Sequence, residues 1–239
     1  MKILDYYSLR ARTLPVIIVL FPIIIYYTAV VTNYFSTIKA EDSIGYIIIA
    51  ALSFLFSQIG REFGKRKEEK LFKTWGGKPT TLYFKYENNY LTPTTRKRYY
   101  EKLEKLIPSI TFPSEAEEQA DPEKAEEIYS SCTKFLLSQT RDKEKYQLLF
   151  TENVNYGFRR NLWGMKPFAI IIVSIIILLQ TYLLIANKLL ILQKEFYIPI
   201  VINAIILLLW VFIIKKEWVK TTAFEFAKQL LMAIDILLT

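Results

Sequence analysis

The chain has 239 residues, a formal net charge of +8 at neutral pH, a single cysteine and no histidine. Histidine is the usual proton carrier near neutral pH and the commonest metal ligand, so its absence argues against a zinc or haem site and against a histidine-dependent catalytic triad. One cysteine cannot form an internal disulfide. We predict no metal and no cofactor.

Four apolar stretches without Asp, Glu, Lys or Arg organise the chain. Their bounds are 14–32, 44–59, 167–186 and 196–214. A helix needs about 20 residues to cross about 30 Å of hydrocarbon. Three stretches are long enough, and the second can extend through Gly60 and Arg61, whose long side chain can reach the interface. Only helices satisfy their own backbone in lipid, so we predict an all-α polytopic membrane protein with four spans in two hairpins.

The distribution of Lys and Arg predicts how these spans are oriented. Segment 60–166 holds 21 of the 31 basic residues, whereas the linkers 33–43 and 187–195 hold one and two. The positive-inside rule therefore places both termini and segment 60–166 in the cytoplasm. The first stretch is too long for a signal-peptide core and lacks a small-residue cleavage site, so we expect it to be retained.

Four regions follow from this layout. They are an N-terminal segment with the first hairpin (1–59), a mostly helical cytoplasmic domain (60–166), the second hairpin (167–214) and a cytoplasmic amphipathic helix (215–239).

Within the cytoplasmic domain, residues 60–74 continue the second span as a basic helix, which the pair Gly76-Gly77 ends. Alternation over 81–86 predicts a short strand. Thr92-Pro93 and Asp121-Pro122 are helix starts, each a capping residue followed by proline. The two helices behind them show apolar stripes at helical spacing. The first stripe has Tyr99, Leu103, Leu106 and Ile107, and the second has Ala125, Ile128, Tyr129, Cys132, Phe135 and Leu136.

Charge within this domain is uneven. Residues 101–134 carry 9 acidic and 4 basic groups, whereas the flanking parts are basic. We expect the basic parts to lie at anionic headgroups, and the acidic part to face the cytosol and a protein partner. No specific nucleic-acid binding is predicted. The C-terminal helix carries an apolar stripe from Val219 to Leu238. Packing on its own domain or on a neighbouring subunit is favoured over lying in the interface.

The string Trp75-Gly-Gly-Lys78-Pro-Thr-Thr81 is the most distinctive motif. Its glycines, lysine and hydroxyls could cradle a phosphate through backbone amides, although the spacing is not that of a P-loop. A structural turn is the favoured alternative. If it binds phosphate, Lys78 is the candidate ligand, together with Arg61, Arg159 and Arg160.

A second polar string, residues 141–161, precedes the third span. Its residues could meet those that leave the second span and clamp the two hairpins together. The candidate clamp residues are Glu62, Arg66, Glu152, Asn155 and Tyr156, with Arg61 and Arg159 beside them. A clamp is favoured over a ligand site, and Glu62 and Glu152 as an acid–base pair are a weaker alternative.

The polar residues within the spans are uncharged, and they include Gln58, Gln180 and Asn203. Ion-coupled transporters use ionisable residues inside the membrane, so their absence argues against that class. Gln180 and Asn203 could hydrogen-bond between helices, or line a narrow pore in an oligomer.

The runs at 61–81 (REFGKRKEEKLFKTWGGKPTT) and 141–167 (RDKEKYQLLFTENVNYGFRRNLWGMKP) resemble those of an uncharacterised group of bacterial four-span membrane proteins. The resemblance covers the cytoplasmic domain and the adjoining helices. It implies the four-span layout at a bacterial inner membrane, without an activity. Two hairpins around a cytosolic domain are also similar to small membrane effectors of anti-phage defence, a likeness of architecture only.

Two functions remain from this reading. The favoured one is a non-enzymatic membrane effector or accessory subunit, whose cytoplasmic domain receives a signal from a partner. Its spans would form a homo-oligomer and perturb the bilayer, for example as a pore. The alternative is a membrane-bound enzyme that acts on a lipid-headgroup or nucleotide phosphate. A third, weaker reading is a passive anchor.

Overall fold

The computed structural model describes residues 6–34, 43–186 and 194–237, and within these ranges all regular structure is helical. The predicted linkers 33–43 and 187–195, as well as Lys2 and Leu238, lie wholly or mostly outside them. A π-helical segment, Ser8–Thr13, leads into the first of nine α-helices. Their bounds are α1 Leu14–Tyr34, α2 Ser43–Trp75, α3 Pro79–Leu82, α4 Pro93–Leu106, α5 Glu115–Ala120, α6 Pro122–Gln139, α7 Gln147–Ala186, α8 Lys194–Phe212 and α9 Lys216–Met232.

The chain forms two compact units, and each is described by itself. The first comprises residues 1–68 and 157–219, and the second comprises 69–156 and 220–239. The boundaries therefore fall about ten residues inside the predicted cytoplasmic domain. The reason is that α2 and α7 continue well beyond their apolar parts. With 40 residues, α7 is about 60 Å long, about twice the thickness of a bilayer's hydrocarbon core.

The first unit contains the apolar helices. By length and composition alone, Ser8–Ala29 and Gln147–Ala186 could each cross a membrane. A third candidate results if the bent pair Tyr197–Phe212 and Lys216–Ile236 counts as one span. The apolar part of α2 includes several residues whose side chains lie outside the described set, and it is not among these candidates. The structure thus shows two or three candidate spans where the sequence predicts four.

Helix α2 ends within the second unit, at the predicted glycine pair. Gly76 and Gly77 both have positive φ, 86° and 151°, which residues with a side chain rarely adopt. The amide of Gly77 donates to the carbonyl of Phe72 over 2.9 Å, so the turn satisfies one of the helix's last carbonyls. The predicted break is confirmed.

Both predicted helix starts in this unit are confirmed. The Thr92 side chain accepts a hydrogen bond from the amide of Thr95, and Asp121 accepts one from Lys124. A proline follows each cap at the first helical position, where the lack of an amide proton costs nothing. Ser114 and Glu117 form a capping box at the start of α5.

The predicted strand over 81–86 is wrong. Pro79 starts the short helix α3, and turns follow it up to α4. The amides of Thr81 and Leu82 both donate to the carbonyl of Lys78, which closes a helical turn. The alternating residues Leu82 and Phe84 are nevertheless buried, because the turns direct them into the core.

Aromatic side chains form the centre of the second unit. Tyr100 stacks on Phe112 with ring centroids 3.9 Å apart, and Phe84 stacks on Tyr129 at 5.6 Å. The Tyr100 hydroxyl donates to the carbonyl of Phe84 over 2.6 Å, and the Tyr129 hydroxyl to the carboxylate of Glu118. Burial raises the pKa of the Tyr100 and Tyr129 hydroxyls. These contacts give α4 and α6 their buried stripes, as predicted.

The C-terminal helix belongs to this core. Ala227, Leu230, Leu231 and Ile234 are fully or almost fully buried in the same cluster as Tyr129. Arg98 on α4 forms an ion pair with Asp235 at 2.9 Å. Of the two placements favoured for this helix, the structure shows packing on its own domain.

Candidate functional site

The densest set of polar contacts in the first unit lies on α7, between residues 159 and 166. Arg160 forms an ion pair with Glu68 of α2, with 2.9 Å between guanidinium and carboxylate. Its side chain is almost fully buried, so the carboxylate is needed to offset the cost of taking a charge out of water. The preceding Arg159 donates to the backbone carbonyl of Trp218 over 2.8 Å, and its guanidinium lies 4.7 Å from the Trp218 ring centroid.

Asn161 connects α7 to the N-terminal part of the chain. Its side-chain amide donates to the carbonyl of Ala11 over 2.7 Å, while its oxygen accepts from Arg160 at 3.3 Å. Only 1% of Asn161 is exposed. Ala11 lies in the π-helical segment Ser8–Thr13, so this bond ties α7 to the segment that precedes α1.

Glycines allow α2 and α7 to approach closely at this level. A Cβ atom on Gly164 would lie 2.7 Å from both the Cα and the amide nitrogen of Gly64. A Cβ atom on Gly60 would lie 2.5 Å from the sulfur of Met165. Gly60 and Gly64 are four residues apart and share one face of α2, the small-xxx-small arrangement of membrane helix pairs.

Two lysines complete the set by capping backbone carbonyls. Lys67 of α2 donates to the carbonyl of Gly164 over 2.8 Å and lies 5.5 Å from the Trp163 ring centroid. Lys166 donates to the carbonyls of Val211 and Ile214, at 3.1 and 2.8 Å. The last carbonyls of a helix lack partners within it and carry partial negative charge, so a cation at the end of α8 is stabilising.

We call this set the inter-helix clamp, defined by contacts that start from α7 and reach four other segments of the first unit. It consists of Gly64, Lys67, Glu68, Arg159, Arg160, Asn161, Gly164 and Lys166. The sequence indicated Arg159 and Arg160, but the other members were missed. The spacing of Gly60 and Gly64, and of Gly157 and Gly164 two turns apart, was the signal that could have found the crossing.

The other predicted clamp residues lie elsewhere. Glu152, Asn155 and Tyr156 belong to the second unit, where Asn155 donates to Glu152 at 3.4 Å and Tyr156 stacks on Phe226. Glu62 and Arg66 are exposed residues of the first unit, and Arg61 is partly buried. In the first unit, Lys67 and Glu68 of α2 make polar side-chain contacts to α7.

The candidate phosphate ligands are also divided between the two units. Lys78 is exposed in the second unit, where its backbone caps α3, while Arg61, Arg159 and Arg160 lie in the first unit. Arg159 and Arg160 hold a carbonyl and a carboxylate, respectively. Among the described residues, no cluster of His, Cys, Asp or Glu could hold a metal ion.

The structure brings together two of the three polar residues that the sequence predicts within the spans. The Asn203 amide of α8 donates to the side-chain oxygen of Gln180 of α7 over 3.1 Å, and both residues are buried. Gln58 is exposed on α2. Such a bond in an apolar setting satisfies two groups that would otherwise be costly to bury.

The second unit has one surface feature with a clear chemical character. A cavity of about 220 Å³ lies among Lys85, Glu115, Glu118 and Gln119, next to the acidic helix α5. None of the residues of α5 is fully buried, and Lys85 is paired with Glu126 at 3.4 Å. This face is acidic and open to solvent.

Comparisons of the chain with known protein families, with curated proteins and with solved structures find no match.

Proposed function

We propose that the chain is a four-span inner-membrane protein, an effector or accessory subunit without catalytic activity, whose cytoplasmic domain receives a signal from a protein partner at its acidic part, residues 101–134. The observation that carries this proposal is a continuous exposed apolar face on α7. Its residues are spaced at three and four, and each is at least half exposed: Ile171, Ile175, Leu178, Tyr182 and Ile185. A face of this kind in water would be an aggregation hazard, whereas lipid covers it at no cost.

Exposed apolar side chains are also found on α2 and α8, which supports four spans rather than three. Ile47 and Phe54 on α2 are 66% and 62% exposed, and Leu208 and Phe212 on α8 are 55% and 59% exposed. In the proposed layout these faces contact lipid or neighbouring copies of the chain. Charged residues begin only at Arg61 on α2 and at Lys215 after α8, where the headgroups would lie.

The clamp supports a role in transmission. Helix α7 carries Tyr156 in the second unit, the clamp residues in the first and the apolar face beyond them, without a break. We infer that a change at its cytoplasmic end would be passed to the clamp through this helix. The alternative, an enzyme acting on phosphate, is less favoured, since Arg159 and Arg160 would have to leave their present partners.

Reporter fusions test the proposed topology. Alkaline phosphatase fused after Lys39 and after Asn187 should be active, because it folds only outside the cytoplasm. Fusions after Ser109 and at the C-terminus should be inactive. A fluorescent protein fused at the same four positions should give the reverse pattern, with fluorescence after Ser109 and at the C-terminus only. Activity at Ser109, or inactivity at Lys39 or Asn187, would contradict the four-span layout.

A membrane-potential dye tests the effector role. Induced expression of the intact chain should depolarise the cells. The variant Gly164→Leu, which breaks the helix crossing, should fail to do so at matched membrane levels. Normal polarisation with correctly inserted intact protein would exclude the effector and leave the accessory subunit or anchor.

A further inference from the structure

The first unit contains an apolar cavity of about 200 Å³ whose lining has no polar surface. Val16 and Leu20 of α1, Ile59 and Phe63 of α2, and Phe168 of α7 are among its walls. Ile59 and Phe168 are 38% and 44% exposed, so the cavity opens on the outer surface of the helices. A dry cavity of about 150 Å³ already holds a benzene molecule, so this one can hold part of a hydrocarbon chain.

Two arginines lie at one end of this cavity. Tyr27 lies against Gly45, while Asn161 lies against both Ala11 and Gly64, so α1 and α2 run in opposite directions. Arg12 therefore precedes the cavity wall of α1 by one turn, and Arg66 follows that of α2 by one turn. Both are at the level of Asn161, the end that the proposed topology places at the cytoplasmic headgroups.

The two arginines also have capacity to bind a ligand. Within the described residues, the Nε atom of Arg12 is buried without a hydrogen-bond partner, and its guanidinium lies 5.5 Å from the Tyr7 ring centroid. Arg66 is exposed. A buried donor without an acceptor is costly, so an anionic oxygen at Arg12 would be stabilising.

We propose that this site binds an anionic phospholipid, with one acyl chain in the cavity and the phosphate held by Arg12 and Arg66. The occupant follows from the combination of a dry cavity open to the bilayer and two cations one helical turn away. A zwitterionic lipid offers the same chain but less net attraction, so selectivity would come from the arginines. This inference rests on the membrane placement proposed above.

Native mass spectrometry of the delipidated protein in detergent tests it. When either lipid is added back, the affinity for phosphatidylglycerol should be about tenfold higher than that for phosphatidylcholine with the same chains. The variant Arg12→Gln/Arg66→Gln should lose this preference. Lys65→Gln, a matched control at an exposed cation on the same helix, should keep it.

A substitution that fills the cavity provides a second test. Ile59→Trp should weaken the binding of phosphatidylglycerol, whereas Leu52→Trp, at an equally exposed position of α2 outside the cavity, should not. Equal binding of the two lipids, or full binding by the arginine or Ile59 variant, would overturn the inference. A protein that stays dissolved without detergent would instead overturn the membrane placement, so the two failures can be told apart.

Discussion

Gly64 and Gly164 approach so closely that a single methyl group on residue 164 would overlap the backbone of α2. This contact fixes where the two longest helices cross. The ion pair of Glu68 with Arg160 and the hydrogen bond of Asn161 to Ala11 lie within about one helical turn of it on α7. The polar contacts thus have a defined geometry because the glycines set the distance between the helices.

Replacing Gly164 by alanine should destabilise the protein by about 1–3 kcal/mol, since the backbone of α2 must move away. The sign of this change in stability is informative. In a helix without such a contact, alanine is more stable than glycine by about 1 kcal/mol. Thermal unfolding in detergent would show a lower midpoint, and an unchanged or raised midpoint would contradict the close crossing.

Asn161→Leu should cost about 1–3 kcal/mol, because the carbonyl of Ala11 loses its donor in a buried place. Asn155→Leu is the matched control, since Asn155 is an exposed asparagine on the same helix. Urea or SDS unfolding of both variants checks the prediction. Equal effects at the two positions would show that the bond to Ala11 contributes nothing.

The pair Glu68–Arg160 should show strong coupling in a double-mutant cycle. Removing either partner leaves the other charge largely buried, which costs about 3–5 kcal/mol for a fully buried pair and less here, since Glu68 is 20% exposed. The exposed pair Lys97–Glu101 is the control and should couple by about 0.3–0.5 kcal/mol. Similar coupling energies for the two pairs would contradict a buried clamp.

Cys132 should make the second unit sensitive to alkaline pH. Burial raises the pKa of its thiol to about 12, from a model-compound value of 9.0. The unfolded chain therefore releases the proton from about pH 9 upward while the folded chain keeps it, so stability falls as the pH rises from 9 towards 12.

The measurement is thermal unfolding at pH 8 and pH 10 for the natural chain and for Cys132→Ala. The natural chain should lose more stability between the two pH values than the variant does, whatever the variant's starting stability. Rapid modification of the folded protein by a thiol reagent at pH 8 would contradict the burial of this residue.

The second unit's helices could be predicted because their signals are local. The caps at Thr92 and Asp121 and the stripe through Tyr129 depend only on residues a few positions apart. The strand over 81–86 was wrong because the apolar residues there belong to a helical turn and the turns after it, which bury four consecutive residues, 81–84, rather than every second one. Pro79 starts a helix, and this local effect was stronger than the alternating pattern of the residues that follow.

The clamp was only partly predictable. The sequence brings polar residues to the ends of α2 and α7, but it does not fix how far one helix slides along the other. If α2 shifted by one turn along α7, a residue near Arg66 would take the place of Glu62 beside a given position on α7. In the structure the partner of Arg160 is Glu68. The crossing of Gly64 with Gly164 determines that register, and pairing of glycines between distant helices is visible only in the fold.

The central claim is that the exposed apolar face of α7 contacts lipid. Leu178 and Leu148 are both 69% exposed on the same helix, one on that face and one in the second unit. Each is replaced by cysteine in a Cys132→Ala background, labelled with a small fluorophore and reconstituted in vesicles that contain brominated phospholipid. We expect the brominated lipid to quench the label at 178 and aqueous iodide to quench the label at 148. Quenching of both labels by iodide alone would contradict the claim.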